Sequence, residues 1–415
     1  MRKYREYELL SQLDESIENQ FVIIVGKNGE GKSRLLLDLC HDPFDRITKY
    51  ENVIAVSTSP FDRFPLRMRG SYNKNKLSYS YVGVRSSAGS NSALSLISSA
   101  SLGFLKNHFK ENKYIVRLKH VLSDLGFSND IEYVLKVLVT PDKYKDYKDS
   151  FNEREYLGNG SLDLHERNNV NVQKALFALN MLADNNGNLK IKLIVGEGVY
   201  LDDNQFMDYE LVDAFQTLIN MKFIKLIDLR VNKFSYGRMS LRFASSGEQC
   251  VLLSFIGIAA NISDNSLILI DEPEISLHPE WQEKYISLLV SCFKNYNRCD
   301  FIIATHSPQL ISRLTYGNCL IYNMNGIVSN ADDYINRSID FQLAKVFGKP
   351  GFKNEFLTRK FLTFLSNVGS GSQIDDAELK EIKDLVKLKG DVSQNDPVHK
   401  LISLSEATIA KLTSE

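Results

Sequence analysis

The sequence predicts an α/β fold: a mostly parallel sheet flanked by helices, with a compact, mainly helical insertion and a helical C-terminal tail. Three stretches predict it. Phe21–Val25 is a short β-branched apolar run leading directly into Gly26-Lys27-Asn28-Gly29-Glu30-Gly31-Lys32-Ser33 and then an apolar helical pattern. Ser266–Ile270 is a second such run and ends in Asp271-Glu272, while Phe301–Ala304 is a third and ends in Thr305-His306-Ser307-Pro308. Each is followed by a helical stretch, and strand–helix–strand alternation implies parallel pairing because parallel neighbours need a crossover.

The first stretch fits GxxxxGK[ST] without mismatch. Glycines there let the backbone curl its N–H groups around a phosphate, and the helix from Arg34 to Cys40 adds its N-terminal partial charge. Lys32 is placed to reach the β- and γ-phosphates and the Ser33 hydroxyl to ligate Mg²⁺. The candidate nucleotide contacts are therefore Gly26, Asn28, Gly29, Gly31, Lys32, Ser33 and Arg34.

The chain has 415 residues and a formal net charge of −1, so no global basic field draws it to nucleic acid or an anionic membrane. Its five cysteines (40, 250, 292, 299 and 319) are scattered without metal-ligand spacing, and read as reduced core residues. No apolar h-region follows Met1, and no window approaches the ~18 apolar residues of a membrane span. A soluble, cytoplasmic protein is expected.

Residues 1–20 read as an irregular lead-in, and His41-Asp42-Pro43 as the stop of the first helix. Asn52–Ser57 is a strand. Arg63, Arg67, Arg69, Lys74 and Lys76 then occur with no acid between them, with Tyr72, Tyr79 and Tyr81 interleaved; this is either a stacking and phosphate contact or a solvated loop. Residues 86–101 are half serine and read as a flexible connection or the start of a loosely packed helix. From about 102 to 220 helical periodicity dominates (Tyr114–Leu125, Val172–Asp184, Leu211–Ile219), with strands at Ile131–Val139 and Leu189–Val195. Phe223–Val231 and Met239–Phe243 are strands. Helices follow at Cys250–Ile262 and Glu280–Phe293, and beyond 330 the chain is helical, with an amphipathic helix at 375–389 and a last one from 397.

The strand ending in Asp271-Glu272 delivers two carboxylates where an α/β sheet places its ligands. Asp271 is the candidate magnesium ligand and Glu272 the candidate general base. Ser245-Ser246-Gly247-Glu248-Gln249 opens a helix, which reads either as an anion site or as an ordinary serine cap with a returning Glu. His306 reads as a capping or core histidine, or as a sensor of the γ-phosphate.

In this order, the four patterns resemble the ATP-binding-cassette class of ATPases, and within it the SMC, RecF and OLD-type branch, where a Leu-His-Pro element follows the second acidic motif. The matching residues run Asp271-Glu272-Pro273-Glu274-Ile275-Ser276-Leu277-His278-Pro279. The resemblance covers roughly 20–60 and 225–325. It implies an ABC-type P-loop head whose N-terminal part is 1–60, a lid loop and insertion at 61–222, the C-terminal part of the head at 223–330, and a helical region at 331–415. It also implies ATP and Mg²⁺ as cofactors, with Glu272 and His306 catalytic. The nucleotide would lie between two copies, so that Ser246, Gly247 and Glu248 of one face the phosphate loop of the other; the assembly is a homodimer or a higher even-numbered homo-oligomer. No glutamine falls in Ser57–Phe64, where the lid contact would lie, and this implies slow turnover.

Compact chains of this kind resemble the ATPase subunits of Septu-like, retron-associated and PARIS-like anti-phage systems. That resemblance implies a separate effector nuclease of HNH or TOPRIM type, with retron RNA/DNA or target DNA as a further partner and no membrane. The competing readings are a RecF-like or SMC-like repair clamp, and a slow ATP-bound scaffold that sequesters a partner.

Overall fold

The computed structural model describes residues 9, 18–27, 29–45, 50–59, 61–66, 77–83, 85, 118–138, 187–201, 205–220, 223–312, 319–324, 328–372 and 374–412. The chain divides into two compact units, one comprising 1–49, 269–290 and 298–415, the other 50–268 and 291–297.

In the first unit, β1 (Gln20–Val25) is buried along its whole length and pairs in parallel with β11 (Asp300–Ala304) on one side and β12 (Cys319–Asn323) on the other. A fully buried strand must be apolar on both faces, which is why these runs do not alternate. β13 (Val328–Asn330) adds an antiparallel edge to β12. Helix α1 (Lys32–Asp45) packs on β11 and continues two residues past Pro43, where the sequence reading stops it. A proline in a helix removes its own N–H bond and crowds the carbonyl four residues back, and near a C-terminus only the last turn is left to bear that cost. β12 is a strand that the sequence reading does not assign.

The same unit holds α5 (Pro279–Phe293), α6 (Pro308–Ser312) and the tail helices α7 (Ile339–Lys345), α8 (Glu355–Gly369), α9 (Asp376–Val386) and α10 (Pro397–Leu412). Leu357, Phe361, Phe364, Ile382, Leu385, Val398 and Ile402 form the tail's own core. Asn354 and Asp375 cap α8 and α9 through their side chains.

In the second unit, β2 (Asn52–Ser57) pairs in parallel with β3 (Ser78–Gly83). Helix α4 (Ser246–Asn261) packs on both. Among the described residues from 118 to 240, the strands expected near 131–139, 189–195, 223–231 and 239–243 join two that the sequence reading does not assign, β6 and β7, in a six-stranded antiparallel sheet of order β7-β6-β5-β4-β8-β9. These strands are β4 (Phe127–Val137), β5 (Asn188–Ile194), β6 (Gly198–Leu201), β7 (Gln205–Phe206), β8 (Ile224–Lys233) and β9 (Gly237–Ser240). Only α2 (Leu118–Asp124) and α3 (Tyr209–Asn220) are helical among the described residues of this span. β5 alternates, with Leu189, Ile191 and Leu193 buried, but which strands pair with one another is a non-local property that no window of sequence contains. The expected helix Val172–Asp184 and the serine-rich connection lie outside the described residues.

Candidate nucleotide site

β10 (Ser266–Asp271) ends with Asp271, only 5% exposed, and the Ser33 hydroxyl donates to Asp271 Oδ1 at 3.0 Å. Glu272 then turns left-handed, at φ 47°. That conformation costs a non-glycine residue roughly 1–2 kcal/mol. It sends the two neighbouring carboxylates apart, so that Asp271 meets Ser33 and Glu272 meets His306. Glu272 Oε1 lies 3.1 Å from His306 Nε2.

The other imidazole nitrogen faces Lys32. Lys32 Nζ lies 2.9 Å from His306 Nδ1 and donates to the Gly26 carbonyl at 2.9 Å. With Lys32 donating to Nδ1, the ring proton sits on Nε2 and is donated to Glu272. Lys32, His306 and Glu272 thus form one hydrogen-bonded chain. Burial lowers the Lys32 pKa, against the carboxylates of Glu272, Glu30, Glu274 and Asp271, which raise it. The hydrogen bond from His306 holds the Glu272 carboxyl below the usual carboxylate range, ahead of an opposing effect of burial.

The phosphate loop has the backbone its sequence requires. Gly29 and Gly31 lie at φ 84° and 98°, and Leu35 N–H donates to the Gly31 carbonyl to open α1. Glu30 Oε2 accepts the Lys27 N–H at 2.7 Å, and Lys27 Nζ bridges both oxygens of Asp391 at 2.7 and 2.8 Å. Arg34 is exposed on the first turn of α1, while Asn28 lies outside the described residues.

Ser245, Ser246, Gly247 and Glu248 belong to the second unit. Ser245 caps α4 and Glu248 returns the bond, with Ser245 Oγ accepting the Glu248 N–H at 3.3 Å and Glu248 Oε2 accepting the Ser245 N–H at 2.9 Å. Glu248 Oε1 also takes Lys233 Nζ at 2.7 Å. Both carboxylate oxygens of Glu248 are therefore committed within its own unit. Ser246 is exposed on the first turn and Gly247 buried.

Residues 21–312 match the AAA_21 family, described as "AAA domain, putative AbiEii toxin, Type IV TA system". The chain belongs to this family. It is an AAA-domain ATPase, and the mostly parallel α/β sheet is the P-loop NTPase fold. The chain is 23% identical over 377 residues to the Retron Ec83 probable ATPase of Escherichia coli, covering 75% of this chain and 68% of that protein. It is 37% identical over 57 residues to the Retron Vc95 probable ATPase of Vibrio cholerae, which is 14% of this chain and 10% of that one. The crystal structure of Stu0660 of Streptococcus thermophilus aligns over 93% of this chain and 87% of its own, at 10% identity and a TM-score of 0.32.

The residues of this AAA_21 chain fit a magnesium nucleotide. Its glycine-lined loop has no room for a side chain at position 26, where a Cβ would stand 2.3 Å from Glu30 Oε2 and 2.9 Å from Met324 Cγ. Ser33 and Asp271 are adjacent oxygen donors, the hard ligands magnesium takes one or two of alongside phosphate oxygens. Among the described residues no cluster of three or more His, Cys, Asp or Glu offers an all-protein cage, and no helix is long and apolar enough to cross a membrane.

Two residues carry site geometry that sequence reasoning gave no role. Glu274 Oε1 accepts the His306 N–H at 2.6 Å. Gln282 Oε1 accepts the Ser307 hydroxyl at 2.6 Å while its amide donates to the Leu277 carbonyl at 3.0 Å. These bonds tie the Leu-His-Pro element to the end of β11. The available signal was the third acid of Asp-Glu-Pro-Glu. In the basic stretch, Tyr79 and Tyr81 are half-buried, their hydroxyls donating to the Pro65 carbonyl at 2.6 Å and to Asp62 Oδ2 at 2.7 Å; residues 67–76 lie outside the described residues.

Proposed function

We propose that this AAA ATPase is the ATP-hydrolysing subunit of a prokaryotic anti-phage defence complex, closing as a pair around ATP and controlling a nuclease carried by a separate chain. The single observation that carries the catalytic part is the Lys32–His306–Glu272 chain beside the Ser33–Asp271 pair. Lys32 and the loop N–H groups bind the phosphates, and Ser33 and Asp271 hold magnesium, which when bound neutralises phosphate charge. Glu272, kept ionised by its bond from His306, takes the proton of the attacking water. His306 links that base to Lys32, so loss of the terminal phosphate would reach Glu272 through the imidazole. The defence setting rests on similarity to the two proteins named as retron probable ATPases.

Pairing is supported by the signature turn. The first N–H groups of a helix have no intrahelical acceptor, and at α4 the Ser245 cap takes that of Glu248, leaving those of Ser246 and Gly247 beside the exposed Ser246 side chain. A triphosphate satisfied only when two such surfaces meet acts as an adhesive. A second reading, an ATP-held scaffold with slow turnover, is favoured by Ser57–Phe64. No glutamine lies there, and Asp62 is already occupied by Tyr81, Arg85 and the Phe64 N–H.

Light-scattering mass of the purified full chain tests the pairing. Glu272→Gln with ATP and magnesium should run at twice the protomer mass, and Ser246→Arg should remain a monomer under the same conditions. Identical masses for the two variants would contradict a nucleotide shared between copies.

A further inference from the structure

Glu274 sits in the turn after β10, where Ile275 N–H donates to the Glu272 carbonyl at 3.2 Å and Leu277 N–H to the Glu274 carbonyl at 2.9 Å. Its side chain turns inward from this turn and accepts the His306 N–H at 2.6 Å through Oε1. His306 is the first residue after Thr305, whose own N–H is fixed to the Ile24 carbonyl of β1 at 3.1 Å. The backbone that carries the imidazole is thus held from the phosphate-loop strand on one side and from the Glu274 carboxyl on the other. Glu274 Oε2 is shut off from solvent and has no hydrogen-bond partner among the described residues.

We infer that Glu274 is a positioning residue of the ATPase site, fixing the His306 backbone so that the imidazole spans Lys32 and Glu272. The inference rests on the reading of that chain given under Proposed function. A backbone left free at His306 would release a ring whose two nitrogens must meet partners at 2.9 and 3.1 Å simultaneously. A misplacement of about 1 Å in such a relay costs about 10²-fold in rate.

The Glu274 carboxyl is shifted toward its neutral form. Burial pushes its carboxyl above the usual range, reinforced by the nearby Glu272 charge, against the lowering effect of the His306 N–H and the Thr305 hydroxyl.

The test is steady-state ATP turnover and nucleotide affinity of the full chain carrying Glu274→Gln or Glu274→Leu. Glutamine keeps the acceptor oxygen without the charge, and should leave kcat within about threefold of the parent chain. Leucine removes the acceptor, and should lower kcat about 10²-fold while KM and the Kd of a fluorescent ATP analogue stay within about twofold. Combined with His306→Ala, Glu274→Leu should add no further loss, because both act through one imidazole. Full turnover in Glu274→Leu would overturn the inference, as would Glu274→Gln falling as far as Glu274→Leu. Should the leucine variant not fold, the glutamine variant decides alone: retained turnover supports the role and lost turnover overturns it. If Glu272→Gln and His306→Ala leave turnover intact, it is the reading of the site that fails; if they abolish it and Glu274→Leu does not, only this inference falls.

Discussion

Lys32 illustrates how one side chain is held between opposing demands. Burial favours its neutral form, four carboxylates favour the ammonium, and two of its three bonding directions already reach the Gly26 carbonyl and His306. It was legible as a candidate because a GK[ST] pattern places a lysine at one position only. Asp271, Glu272 and His306 were legible as candidates too, lying at or just after the ends of apolar strands. Glu248 was legible only as an ambiguity, since an anion-binding helix start and a capping box share the same Ser-x-x-Glu spacing, and the structure commits its carboxylate to the cap and Lys233. Gly257 was not legible at all. It lies inside α4, where a Cβ would stand 2.2 Å from Val82 Cγ1, so the helix meets β3 only because no side chain intervenes. Gly257→Ala should therefore destabilise the protein by about 1–3 kcal/mol in urea denaturation, and Val82→Ala in the same chain should recover most of it. An alanine variant as stable as the parent would show that the contact does not constrain the packing.

At the scale of elements, burial sorts what the sequence could reveal. β1, β10 and β11 are continuous apolar runs with turn residues after them, and each was found to within a residue or so of its ends. β12 is five residues long, and its membership of the sheet depends on pairing with β1, some three hundred positions earlier in the chain. The tail helices follow from periodicity and caps. α9 buries Ile382 and Leu385 and places Glu381 between Lys345 of α7 and Lys360 of α8, at 3.2 and 2.9 Å. Partial burial would raise the Glu381 pKa, but the two lysines hold it below the usual range. A depressed carboxyl contributes stability that is fully present above its unfolded value, near 4.3, and is lost as pH falls through the folded one. Glu381→Gln should thus cost at most about 1 kcal/mol at pH 7, since the pair is partly solvent-screened, and the difference should shrink in acid as the carboxyl becomes protonated. Paired urea titrations at neutral and acid pH read this directly. A difference that widens in acid would contradict it.

At the scale of the molecule, the AAA_21 match spans both compact units, and each holds part of the proposed machinery: phosphate loop, Asp271, Glu272 and His306 in one, Ser246 and Gly247 in the other. The proposed pairing of copies rests on the ABC-class resemblance, which sequence order suggests and a single chain cannot display. The most direct test is complementation. Lys32→Ala destroys the phosphate loop and Ser246→Arg the signature, so each homogeneous preparation should be inactive. Mixed in equal amounts, the two variants can pair only with one another, and every such pair has one intact site of two. The mixture should recover up to about half of the parent ATP turnover. A mixture as inactive as its components, with pairing verified by mass, would contradict a nucleotide shared between two copies.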